Sequence, residues 1–129
     1  LEDIGRQVDF VSIDVSFISL DKVLPVASSL LIPDDGEVIA LIKPQFEAGK
    51  ERVGKRGVVK DPSVHIDVIA KIVDVARTVG LDTYGLTYSP IKGPEGNIEY
   101  LIYLRNKSAL QSFNINIINQ VVREAHSTL

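Results

Sequence analysis

The order in which hydrophobic periodicity changes along this chain restricts its fold more than any other feature. From Val8 to Val15 the residues are short, β-branched and apolar, the pattern of a strand. The run is nearly continuous rather than alternating, which predicts burial on both faces of a parallel sheet, with Asp14 at the C-terminal end. From Ile18 to Leu31 the apolar spacing becomes three and four (Leu20, Val23, Leu24, Ala27, Leu31), that of a helix in which Pro25 should cause a kink or a restart. Pro33, Asp34, Asp35 and Gly36 form a turn, and Glu37 to Lys43 is a second strand stopped by Pro44. Gln45 to Lys60 reads as a loop. Asp61 and Pro62 then open a helix as N-cap and first residue, Val64, Val68, Ile72, Val75 and Val79 form its buried stripe, and Gly80 ends it. Thr83–Tyr88 and Ile98–Leu104 are strands joined by a Gly- and Pro-rich loop, Ser89–Asn97. Leu110, Phe113, Ile117, Val121 and Ala125 mark a terminal helix.

The order is therefore β-α-β-α-β-β-α. Strand–helix–strand repetition implies parallel pairing, and the last two strands, with no helix between them, imply one antiparallel partner. This is an α/β fold with a mostly parallel sheet and one antiparallel strand. The chain is 45% hydrophobic and 24% charged, a balance that builds a packed core rather than a disordered segment. Cysteine is absent, which excludes disulfides and thiolate metal sites, and the two histidines, His65 and His126, are too few for a His-rich metal centre, although carboxylates could still hold a metal. No apolar run approaches the roughly 18 residues of a membrane span, and Leu1 opens no signal-peptide pattern, so a cytoplasmic location is expected. The net charge of −3 leaves no whole-chain case for nucleic-acid binding, so any basic footprint must be local. The chain begins at Leu1 and contains no methionine, and no glycine-rich strand-to-helix turn of the dinucleotide type is present. A fragment of a longer protein is the expectation.

Topology gathers three charged groups that are remote in sequence. Asp14 and Lys43 end two successive parallel strands, and ligands of open α/β sheets bind outside the carboxyl ends of the strands. Glu99 begins the last strand; if that strand is antiparallel, its start lies on the same edge. A lysine able to release its proton can take one from an alcohol, with carboxylates fixing its position. The loop from Gly49 to Lys60 is the second feature. It holds five basic residues, Lys50, Arg52, Lys55, Arg56 and Lys60, against one acid, Glu51, and suits phosphate-backbone contact beside an active edge. Its Gly49-x-x-x-x-Gly54-Lys55 spacing is that of a nucleotide-binding loop, but Arg56 replaces the required Ser or Thr and the helix starts later, so that reading fails. Phe17 and Phe46 each follow a strand-end charge by three residues and are candidates for core packing or for stacking on a base. His65 reads as structural and His126 as exposed.

Four motifs in order resemble one family. They are Asp14-Val15-Ser16-Phe17-Ile18-Ser19-Leu20, Leu41-Ile42-Lys43-Pro44-Gln45-Phe46-Glu47, Gly57-Val58-Val59-Lys60-Asp61-Pro62, and Ser89-Pro90-Ile91-x-Gly93-Pro94-x-Gly96-Asn97-x-Glu99. The chain resembles the hemolysin A (TlyA) family of FtsJ-like ribosomal RNA methyltransferases, over about Val8 to Leu104. The resemblance implies the C-terminal half of a Rossmann-like fold that uses S-adenosyl-L-methionine to methylate a ribose 2′-hydroxyl. It implies a Lys-Asp-Lys-Glu tetrad, of which Asp14, Lys43 and Glu99 match the last three members and the first lysine has no counterpart here. Asp14, Val15 and Ser16 then fall at the cofactor, and ribosomal RNA or a ribosomal subunit is the implied partner. The first strands, the glycine-rich cofactor loop and the S4-type RNA-binding domain of the family lie outside this sequence.

The resemblance implies a catalytic half that is inactive alone. An RNA-binding module acting through residues 49–60 is the alternative. A membrane-active toxin, suggested by the family's hemolysin name, lacks both barrel-like alternation and a helix of suitable length. In the family's strand order Val8–Val15 lies beside the first strand, so here it should form an open apolar edge that self-associates or is covered by the terminal helix.

Overall fold

The computed structural model describes residues 7–54 and 56–129 of the chain. Its strands are β1 (Phe10–Ile13), β2 (Glu37–Ile42), β3 (Asp82–Tyr88) and β4 (Tyr100–Arg105). Its helices are α1 (Leu20–Leu30), α2 (Pro44–Glu47), α3 (Pro62–Thr78) and α4 (Asn116–Thr128), with single 3₁₀ turns at Lys50–Arg52 and Pro94–Gly96. β1 and β2 pair in parallel, with Ile13 opposite Ala40. β4 runs antiparallel to both β2 and β3, so the spatial order is β1-β2-β4-β3. The sheet is thus mixed, with three strands pointing one way and one reversed between them, which is the predicted arrangement.

The register explains which residues build the core. Ile13, Ala40 and Ile102 lie in one row, and Ile42 and Tyr100 in another; these positions are buried beneath the helices. The alternate positions, Phe10 and Ile39, remain 49% and 39% exposed. This corrects the expectation that the first strand is buried on both faces. Among the described residues the helices cover one face only, and the strand shortens to four residues because Asp14, Val15 and Ser16 already leave the sheet. On the other face polar groups mix with apolar ones, and the Tyr103 hydroxyl donates to Glu37.

Local signals account for the helices. α1 is capped by the Ser19 hydroxyl, which accepts from the Asp21 N–H, and the helix continues through Pro25 without a restart. α3 follows its N-cap Asp61 and Pro62 as expected. It closes in a Schellman motif: Gly80, at φ +83°, donates to the Arg77 carbonyl and Leu81 to that of Ala76. The terminal helix starts later than its apolar spacing suggests. Leu110 is fully exposed, the Asn114 side chain accepts from the Asn116 N–H, and only from Asn116 does the chain wind with Ile118, Val121, Val122 and Ala125 buried. α4 packs on α3 and β3, at the sheet edge opposite β1, so it is not the cover expected for that strand. No helix among the described residues is long and apolar enough to cross a membrane.

A polar network centred on His65 lies in the core. His65 is fully buried between the Tyr100 hydroxyl, 2.8 Å from Nδ1, and the Val59 carbonyl, 2.7 Å from Nε2. A carbonyl only accepts, so Nε2 carries the proton and Tyr100 donates to Nδ1. His126, expected to be exposed, is half-buried; its ring lies 4.7 Å from that of His65, and its Nδ1 donates to the Val122 carbonyl. Burial lowers the His65 pKa below its ordinary 6.5, helped by the neighbouring His126 charge, and it raises that of Tyr100. The unfolded chain therefore binds a proton at His65 before the folded protein does. Stability from this group is complete above pH 6.5 and is lost as pH falls from 6.5 through the folded value. An NMR titration should show the His65 ring protonating below 6.5, and His65→Gln should flatten the acid side of the stability profile measured by urea unfolding.

Candidate active site

The carboxyl ends of β1 and β2 and the amino end of β4 meet at one rim of the sheet because β4 runs against its neighbours. Asp14 is the first residue beyond β1 and Lys43 the first beyond β2. Lys43 Nζ lies 2.5 Å from Asp14 Oδ1 and donates to Ser16 Oγ at 3.3 Å. The lysine side chain is 12% exposed and the Asp14 side chain 64%, so the cation is sunk into the rim behind an outward-facing carboxylate. Val15, between Asp14 and Ser16 in sequence, packs against the core.

Glu99 reaches the same rim from β4. Its buried carboxylate accepts from Gln45 Nε2 at 2.9 Å, and Gln45 is two residues beyond Lys43. The structure thus places Asp14 against Lys43 directly, and joins Glu99 to the lysine turn through a glutamine to which the sequence pattern assigned no role. Pro44 starts α2 at its first position, and one turn later the Glu47 carboxylate accepts from the Ser19 hydroxyl at 2.6 Å and the Leu20 N–H at 2.8 Å. A signal for both residues was present: a proline after a strand-end lysine opens a helical turn and projects the next polar side chains toward neighbouring loops.

The loop before Glu99 is built around it. Gly93 lies against the carboxylate so closely that a Cβ there would collide with it. Asn97 is buried, its Oδ1 accepting from the Val59 N–H at 3.0 Å and its Nδ2 donating to the carbonyls of Gly57 and Pro94 at 2.8 and 3.0 Å. This side chain fastens the far end of the basic loop to the loop that carries Glu99.

The basic residues divide between two open clefts. Lys50 lines one beside the active rim, together with Phe17, Gln45, Phe46 and Val53. Arg52, Arg56 and Lys60 line the other, with Asp61 and Glu95. Arg52 also pairs with Asp67 on α3 at 2.8 Å, and Lys55 lies outside the described residues. The segment expected to be plain loop contains α2 and a 3₁₀ turn, which fix where these charges stand. Phe17 and Phe46 have ring centroids 4.7 Å apart, tilted by 51°. Phe17 is 88% exposed, and its backbone is held at φ +66°, a conformation costly for a residue with a Cβ.

The family described as FtsJ-like methyltransferase matches residues 1–106. The chain belongs to that family. It is 47% identical over 124 residues to a Bacillus subtilis protein provisionally named rRNA methyltransferase YqxC, a match covering 94% of this chain and 44% of that one. Over 107 residues it is 41% identical to the 16S/23S rRNA (cytidine-2′-O)-methyltransferase TlyA of Mycobacterium tuberculosis, covering 83% of this chain and 40% of the relative. A solved structure from Streptococcus thermophilus, provisionally titled a hemolysin, superposes with a TM-score of 0.89 at 40% identity, over 98% of this chain and 45% of the other. The M1.HpyAVI–SAM complex shares the fold at a TM-score of 0.50 and 15% identity, over 88% of this chain and 51% of that one. The chain therefore spans less than half the length of the curated relatives it matches.

Alanine at Gly93 tests the packing around Glu99. The glycine has φ −77° and ψ −169°, which alanine tolerates, so any effect comes from contact with the carboxylate. Gly93→Ala should destabilise the protein by about 1–3 kcal/mol in urea unfolding, as overpacking does. It should also release the Gln45 side-chain amide to fast exchange.

Proposed function

We propose that this chain carries the acid–base rim of a ribosomal RNA ribose 2′-O-methyltransferase that uses S-adenosyl-L-methionine. The observation that carries the reading is Lys43, sunk at the carboxyl edge of two parallel strands between Asp14 and Ser16, with Glu99 delivered to the same edge by the antiparallel strand. The family membership and a relative named as a cytidine-2′-O-methyltransferase support the same chemistry. With ribosomal RNA as its substrate, the protein works in the cytoplasm.

When bound, S-adenosyl-L-methionine supplies a methyl group on a sulfonium, already activated for transfer. The outward-facing Asp14 carboxylate and the adjoining backbone of Val15 and Ser16 would hold one side of it, at the strand end where α/β sheets bind ligands. Lys43 Nζ, held as a cation by Asp14, would assist removal of the ribose hydroxyl proton by screening the negative charge that grows on the oxygen as that proton leaves to solvent; Asp14 holds the lysine directly, and Glu99 steadies its turn through Gln45. Most of the rate comes from alignment of the reacting atoms, with the proton transfer a smaller share.

The exposed Phe17 ring over Phe46 offers a stacking surface for a splayed base one step from Lys43, which is how single-stranded RNA is gripped. Lys50, Lys60 and Arg56 then follow the backbone, with Lys55 in the same segment. Arg52, already paired to Asp67, makes the weaker phosphate contact.

In the full-length protein Lys43→Ala should lower the rate of ribose methylation by about a hundredfold or more, since alignment and proton transfer fail together. RNA binding should persist in a filter assay. A variant that keeps its rate removes Lys43 from the chemistry. The double change Arg56→Glu and Lys60→Glu should weaken RNA binding and flatten its dependence on salt, by about 0.7 in log–log slope for each single-strand phosphate that the loop no longer neutralises. An unchanged slope would show that the loop does not touch the backbone.

A further inference from the structure

We propose that Glu47 is a positioning residue that locks the Lys43 turn onto the segment carrying Asp14 and Ser16, by binding the first turn of α1 from α2. The inference rests on the methyl transfer proposed above and extends it to a residue that does not touch the reacting atoms.

Between the end of β1 and the start of α1 the chain runs free of both sheet and helix from Asp14 to Ser19. Two side chains from the facing segment hold its ends. Lys43 contacts Asp14 and Ser16 near one end, and Glu47 accepts from Ser19 Oγ and the Leu20 N–H at the other. The first amides of a helix lack partners within it, and a carboxylate there also meets the positive end of the helix dipole. Glu47 is therefore bound where α1 most needs an acceptor, and α1 in turn fixes where the segment behind it begins. Phe17, at φ +66°, sits between the two clamps. A strained backbone persists only where its surroundings over-determine it, and these clamps supply that restraint. Without Glu47 the segment keeps the Lys43 contact and the Phe17–Phe46 packing but loses its polar anchor at the α1 end, and the Asp14–Lys43 geometry is free to drift.

The charged groups facing Glu47 are Asp21 of α1, which opposes its ionisation, and Lys71 of α3, which favours it. Burial outweighs the hydrogen bonds and leaves the Glu47 carboxyl titrating above its ordinary 4.5.

The test uses the full-length protein with S-adenosyl-L-methionine and a ribosomal RNA fragment, comparing Glu47→Ala, Glu47→Gln and Lys43→Ala. Glu47→Ala should lower kcat about tenfold to a hundredfold, the scale of a small misplacement of reacting groups, and change KM for RNA far less, because Phe17 keeps its packing on Phe46. Glu47→Gln keeps an acceptor for the Leu20 N–H and should recover most of the rate. Full activity of Lys43→Ala would overturn the methyl-transfer reading itself. An inactive Lys43→Ala beside a fully active Glu47→Ala would overturn only the role of Glu47, as would a glutamine variant as impaired as alanine. Should Glu47→Ala fail to fold, the wild-type protein labelled with ¹⁵N-leucine decides: the Leu20 amide should titrate with an inflection above 4.5. A Leu20 signal that does not respond to Glu47 would overturn the proposal.

Discussion

The reversed direction of β4 is the constraint on which the site depends. Parallel pairing of β1 and β2 sends Asp14 and Lys43 out at the same rim, but a third parallel strand would bring its own beginning to the far side of the sheet. By entering between β2 and β3 and running backwards, β4 places Tyr100 in the row of Ile42 and Tyr88. Glu99, one residue earlier, then stands beside the lysine turn. A single antiparallel strand converts two strand ends into a three-sided site.

Around that rim the polar contacts are shared among very few side chains. The turn from Lys43 to Glu47 contacts Asp14 and Ser16, Glu99, and the start of α1 through alternate residues. Asn97 and His65 do a similar task one layer deeper: both bind Val59, the former at its N–H and the latter at its carbonyl, so the basic loop ends at a fixed point. Because Tyr100 holds His65 and directly follows Glu99, the loop and the carboxylate share one scaffold. Apart from the exposed Asp14 and Ser16, these groups are buried or half-buried, where an unmade hydrogen bond is costly, and this gives the site its definition despite its loop composition.

The element order and the gathering of Asp14, Lys43 and Glu99 at one edge were readable from periodicity and topology, because both follow from backbone rules that act over a few residues. What periodicity did not report was context. The apolar run from Val8 to Val15 suggested burial on two faces, but Phe10 and Ile39 meet no second layer among the described residues. The stripe from Leu110 suggested an early helix start, yet Asn114 competes for the backbone and delays it. Gln45, Glu47 and Asn97 were visible as residues, but their partners lie 54, 28 and 38 positions away, a separation no local pattern reports. His126 gave no sign of its place beside His65, since that contact joins two helices.

The interior place of β4 also governs the order of assembly. Its hydrogen-bonding slot lies between β2 and β3, which are complete in the chain at Ile42 and Tyr88, whereas the strand that fills it ends at Arg105. A nascent polypeptide emerging from its amino end therefore exposes two bare inner edges until the last strand arrives. β4 pairs locally with the preceding β3, but its pairing with β2 is distant in sequence, and such non-local pairing is slow and prone to wrong partners. Translation must release the reversed strand before the rim exists at all.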